Sequence, residues 1–109
     1  MKALLSAIVV VGALLQSAPA TQTFSGVITD SECADGDHSA MRMGSTAAEC
    51  AKACVDYHGA TLVLFDGKRP LRLDNQTLAT SFAGSRVVIV GTPDEKAGQI
   101  AVHTIEAAK

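Results

Sequence analysis

The chain has 109 residues, 48% of them hydrophobic and only 4% aromatic, with a formal net charge of −2 at pH 7. A mildly acidic chain offers no clustered basic face for nucleic acid and no polybasic segment for an anionic membrane surface. Without tryptophan and with so few aromatic rings, it also lacks a platform on which bases could stack.

The opening residues, MKALLSAIVVVGALLQSAPA, carry one basic residue, an apolar run and then Ala18-Pro19-Ala20. That order predicts a secretory signal peptide over residues 1–20, cleaved to leave Thr21 as the mature N-terminus. The apolar run falls short of the ~20 residues that a membrane span needs. No cysteine follows the cleavage point to take a lipid, so no membrane anchor is expected after cleavage. Residues 21–109 are then one small exported domain, periplasmic or extracellular. Export puts the three cysteines in an oxidising compartment, where disulfides persist.

Residues 23–30, TFSGVITD, read as a strand in which Gly26 marks a bulge or a sharp coil. An insert over residues 31–59 follows, and it holds all three cysteines, His38 and His58, and Met41 and Met43. Its first half is rich in Asp, Gly and Ser and reads as loop. Its second half is a helix, with Thr46 as N-cap, Glu49 completing a capping box and Gly59 as the left-handed stop. From Thr61 the period changes to that of strands. TLVLF and PLRLD form a hairpin through Asp66-Gly67. Residues 75–83 supply one or two helical turns. RVVIVGT and QIAVHTI complete the set, and alternation places Val88, Val90, Ile100 and Val102 on the inner face.

The expected fold is mainly β with short helices. Five strands with a small helix between the third and fourth match an OB-like Greek-key barrel, here with a loop and helix inserted between strands 1 and 2. Closure would also remove the exposed sheet edges. The alternative is an open five-stranded sheet with the cysteine-bearing helix on one face.

From Gly26 to Cys54 the chain carries D-S-x-C, then a His, then C-x3-C, followed by GATLVLFDG, LDNQ, FAGSRVVIVGT and IAVHTI. In these motifs it resembles a family of small exported bacterial proteins whose domain has no assigned function. The resemblance spans nearly the whole mature chain and implies an OB-like barrel with a Cys/His insert, without implying an activity. A looser similarity, confined to the barrel half, is to exported bacterial OB-fold proteins of the stress-induced type, which lack this cysteine pattern.

Chemistry is concentrated in the insert. Cys50 and Cys54 share one helix face at i and i+4, where Cβ atoms lie about 5–6 Å apart, against the roughly 3.8 Å of a disulfide. They should not bond each other, but Cys33 can reach either. One reading is therefore a disulfide from Cys33 to Cys50 or Cys54 that staples the loop to the helix. It leaves an odd thiol. A second reading is a metal site of Cys33, His38, Cys50 and Cys54, three thiolates and an imidazole, which suits zinc. His58 is an alternative imidazole. Met41 and Met43 add soft ligands that suit Cu(I), or else pack as adaptable fillers. Asp35 and Asp37 beside His38 are expected to be solvated or to cap the loop rather than to catalyse. Neither a C-x-x-C motif nor a glycine-rich phosphate loop is present, and no complete catalytic set appears. The sequence thus points to a non-enzymatic binding or structural accessory domain, its small ligand or protein partner unspecified, with a thiol-redox protein using the odd cysteine as the competing class.

Overall fold

A computed structural model describes residues 20–40 and 42–109. The predicted signal segment, apart from Ala20, and Met41 lie outside the described residues. Five strands and two helices follow in chain order: β1 (Gln22–Asp30), α1 (Ala47–His58), β2 (Leu62–Phe65), β3 (Pro70–Leu73), α2 (Gln76–Thr80), β4 (Arg86–Asp94) and β5 (Gln99–Ala107). The fold is mainly β, and its sheet closes in a ring in the order β1-β2-β3-β5-β4. All neighbours are antiparallel except β3 and β5, which run parallel through a short pairing of Arg72 with Gln99 and Leu73 with Ile100. Among the described residues no helix is long and apolar enough to cross a membrane.

β1 makes closure possible by pairing with β4 over its first half and β2 over its second, changing partner at Val27. Gly26 sits at that handover. A Cβ there would lie 2.2 Å from the Phe65 carbonyl oxygen, so only glycine lets the two backbones approach. Ile28, Leu62, Leu64, Leu71, Leu73, Val87, Ile89, Ile100 and Ile105 fill the interior, and Ala51 of α1, Ala79 of α2 and Ala83 in the turn after α2 join the same core.

The inner face of β4 differs from the sequence expectation by one residue. Val87 and Ile89 are fully buried, whereas Val88 and Val90 are half-buried. Because RVVIV is apolar at every position after the arginine, alternation alone carries no phase. The phase comes instead from pairing, which sets Val87 opposite Gly26 and Ile89 opposite Phe24. On β5, Ile100 is inside as expected and Val102 packs at the margin of the core. A bulge then intervenes, since Val90 pairs with Thr104 but Gly91 with Val102, leaving His103 as the extra residue. It moves the inward position to Ile105.

The helix signals hold with one shift. Thr46 accepts the Glu49 N–H, but the Glu49 carboxylate reaches back to Ser45, accepting its N–H at 2.8 Å and its hydroxyl at 2.6 Å. Gly59 adopts φ 66° and closes α1 by donating to the Cys54 carbonyl. The buried side of α1, Cys50, Ala51 and Cys54, is packed on β1. At the other mouth of the hairpin, Gln76 acts as a side-chain clamp. It accepts the Leu62 N–H and donates to the Leu62 and Leu73 carbonyls, tying α2 to β2 and β3.

Candidate metal centre

Three short pieces of chain build the site. β1 ends on Thr29 and Asp30, both fully buried. The loop after it turns sharply because Asp30 Oδ1 accepts the N–H groups of Glu32 at 2.9 Å and Cys33 at 3.0 Å. The side chain thereby caps the turn as an Asx motif and fixes where Cys33 points. Thr29 Oγ1 donates to the Cys33 carbonyl at 2.8 Å, which also accepts the Gly36 N–H. The loop then folds back so that His38 Nε2 lies 3.5 Å from the same Thr29 oxygen. The first turns of α1 bring in Cys50.

The result is a cluster in which one ligating atom each of Cys33, His38 and Cys50 lies within 4.8 Å of the others. Zn–S bonds of about 2.3 Å and Zn–N bonds of about 2.0 Å around a tetrahedral ion need donors roughly 3.5–3.8 Å apart. The trio is thus within an inward movement of about 1 Å of a coordination geometry. Cys33 and Cys50 are buried and His38 is mostly buried. An open cleft lined by His38, Arg42, Ser45, Ala47 and Cys50 gives access from solvent.

Cys54 lies outside this trio. It is fully buried one turn further along α1, where it forms a small apolar cluster with Cys50 and Ala60. Met43 packs against that cluster as a partly buried filler, and Met41 falls outside the described residues. His58 is exposed at the end of α1. Asp37 accepts the Ser39 N–H and Asp35 accepts the Asp37 N–H, so both loop acids cap turns as expected. No disulfide is formed: Cys33, Cys50 and Cys54 carry thiols. Burial, followed by the negative charge of Asp30, raises the Cys33 thiol above its ordinary value and pushes Cys54 up to about 12.

The residue that sequence reasoning passes over is Asp30. It stands in the D-S-x-C run, and an aspartate three residues before a cysteine is a signal for a side-chain-capped turn. Its second oxygen, Oδ2, has no hydrogen-bond partner among the described residues. Nor has His38 Nδ1, and the two face each other at 3.9 Å.

Comparison of the chain with family models, with curated proteins and with solved structures returns no match.

Proposed function

We propose that this chain is a small exported, OB-like domain that binds a thiophilic metal ion through Cys33, His38 and Cys50. It acts as a binding or accessory module rather than as an enzyme. The observation that carries this reading is the convergence of two thiol sulfurs and an imidazole nitrogen within 4.8 Å, brought together from a loop and a helix. Two thiols and an imidazole supply three ligands of a closed or nearly closed set for zinc or copper(I). Loading would require both thiols to give up their protons, which a cation replaces as the counter-charge. Strand order 1-2-3-5-4 with a parallel 3–5 pairing supports the OB-like assignment. The Ala18-Pro19-Ala20 pattern supports export.

The test is metal analysis of protein purified from the exporting compartment, together with melting in the presence of chelator. The expected result is one equivalent of metal and a melting temperature lowered by chelator. Metal-free protein whose melting ignores both chelator and added metal would overturn the reading.

A thiol-redox reading has one observation in its favour, the approach of the Cys33 and Cys50 sulfurs to within 4.8 Å of each other. Two-electron oxidation by a disulfide would join them and convert the oxidant into two thiols. The raised Cys33 and Cys54 thiols argue against a ready thiolate nucleophile. In this reading the melting temperature responds to reductant and not to chelator.

A further inference from the structure

We infer that Asp30 is the tuning carboxylate of this centre: it holds the His38 imidazole by Nδ1, leaves Nε2 to bind the ion, and makes the site select a divalent cation of the zinc class over copper(I). The inference rests on the reading of Cys33, His38 and Cys50 as metal ligands.

Buried polar atoms in folded proteins nearly always find a partner. Here two that lack one among the described residues stand 3.9 Å apart at the edge of the thiol pair. Asp30 is fully buried, and its Oδ1 is occupied by two backbone N–H groups. Oδ2 is left to serve another group, and His38 Nδ1 faces it at 3.9 Å, with the Cys54 thiol also beside the carboxylate. A closing movement of about 1 Å would make a charge-assisted hydrogen bond of ordinary length.

The assignment requires the other ring nitrogen to be unprotonated. His38 Nε2 is 3.5 Å from Thr29 Oγ1, but the Thr29 hydroxyl proton is already donated to the Cys33 carbonyl. With its proton spent, Thr29 Oγ1 can only accept from Nε2, so the Nδ1 tautomer is set by the Asp30 carboxylate against that 3.5 Å contact and not by Thr29. With the ring proton on Nδ1 toward Asp30, the Nε2 lone pair is unspent and available to an ion. Metal-bound histidines characteristically donate their second ring N–H to a carboxylate in this way, which fixes the tautomer and ring orientation.

Asp30 also sets the charge of the site. Two thiolates and the carboxylate place three negative charges in a region where Asp30 is fully buried and Cys33 and Cys50 nearly so. A divalent ion leaves one of them uncompensated, whereas copper(I) leaves two. Excess buried charge is costly where little water screens it. The cation along the cleft, Arg42, is exposed to solvent and compensates weakly.

Asp30→Asn tests this, because asparagine keeps an oxygen to accept the Glu32 and Cys33 N–H groups while removing the charge. Parent and variant would be titrated without oxygen against zinc(II), cobalt(II) as a spectroscopic probe, and copper(I), each in competition with a chromophoric chelator. The expected result is a zinc affinity about 10–100-fold lower in Asp30→Asn, with copper(I) affinity changed less than about threefold, so that the preference for zinc shrinks. Unchanged zinc affinity, or equal loss for both metals, would overturn the inference. Nitrogen-15 NMR of the zinc-loaded parent gives an arm independent of any variant. It should show His38 protonated at Nδ1 and metallated at Nε2, and the reverse pattern would equally overturn the inference. Failure of the parent to bind any of the three ions would instead refute the metal reading itself, and the role of Asp30 with it.

Discussion

Thr29 Oγ1 donates to the carbonyl of Cys33 at 2.8 Å, pinning the last buried turn of β1 to the residue that carries the first thiol. Strand and ligand are thereby placed by one bond. Thr29→Val keeps the shape and removes the donor. The Cys33 carbonyl retains the Gly36 N–H, so it is not left bare. The expected cost is about 0.5–1.5 kcal/mol of stability. Metal affinity should fall as well, because the loop carrying Cys33 and His38 loses its anchor. Denaturant melts and a zinc titration check both. A variant as tight as the parent would show that the turn is held by Asp30 alone.

The three cysteines should separate into two kinds. Cys33 and Cys50 belong to the trio with His38, whereas Cys54 sits a turn away, packed with Ala60 and with its thiol beside the Asp30 carboxylate. Cys33→Ser and Cys50→Ser should each abolish stoichiometric metal binding. Cys54→Ala should leave the stoichiometry at one and cost stability only, through a small packing defect. Metal-to-protein ratios after gel filtration decide this. Loss of metal in Cys54→Ala would make it the fourth ligand.

The raised Cys54 thiol makes a prediction about alkaline pH. Folding holds its proton more tightly than the unfolded chain does, from an ordinary 9.0 up to about 12. Below the unfolded value both states are protonated and the full contribution is present. As pH rises from 9 toward 12 the unfolded state sheds its proton first, so stability is lost across that window. Metal-free protein should lose stability steadily above pH 9, and Cys54→Ala should flatten the slope. Urea melts at stepped pH measure it, and identical slopes would mean that the thiol ionises freely in the fold.

Much of the scaffold is written in local chemistry. Thr46 and Gly59 delimit α1. Asp66 starts the β2–β3 turn by accepting the Lys68 and Arg69 N–H groups. Both are decided by neighbours a few residues away, so the sequence displays them. The phase of β4 is decided by its partner across the sheet, and a run such as VVIV is silent about it. The bulge at His103 is hidden for the same reason. In the site, cysteines and a histidine advertise themselves by type. Asp30 does not, since its importance comes from complete burial at a strand end, and burial is a property of the closed ring.

The corrected phase gives a direct test. Ile89 is fully buried, whereas Val90 is half-buried on the other face. Ile89→Asp should leave the domain unfolded at room temperature by burying an unpaired charge. Val90→Asp should fold with a lowered melting temperature. Ile89→Ala should cost about 2–5 kcal/mol. Circular dichroism melts of the three variants rank them, and a reversed order for the two aspartates would restore the phase that alternation alone expects.

Gly84 joins the ring to the helix that carries the site. Its N–H donates to the Ile28 carbonyl at 2.7 Å, and its φ is +79°. A Cβ at this position would lie 2.5 Å from the backbone nitrogen of Ala48, in the first turn of α1. Two costs therefore combine in Gly84→Ala: the left-handed backbone, about 1 kcal/mol for a residue with a side chain, and a collision with rigid backbone. Relief of the collision must push α1 outward and carry Cys50 away from Cys33 and His38. The variant should melt lower and also bind metal more weakly, although it touches no ligand. Gly98→Ala is the control, since it has a similar φ of +61° but nothing within 4 Å of the added carbon. It should show the backbone cost without the loss of metal affinity. Equal metal affinity in the two variants would mean that α1 is not positioned by this contact.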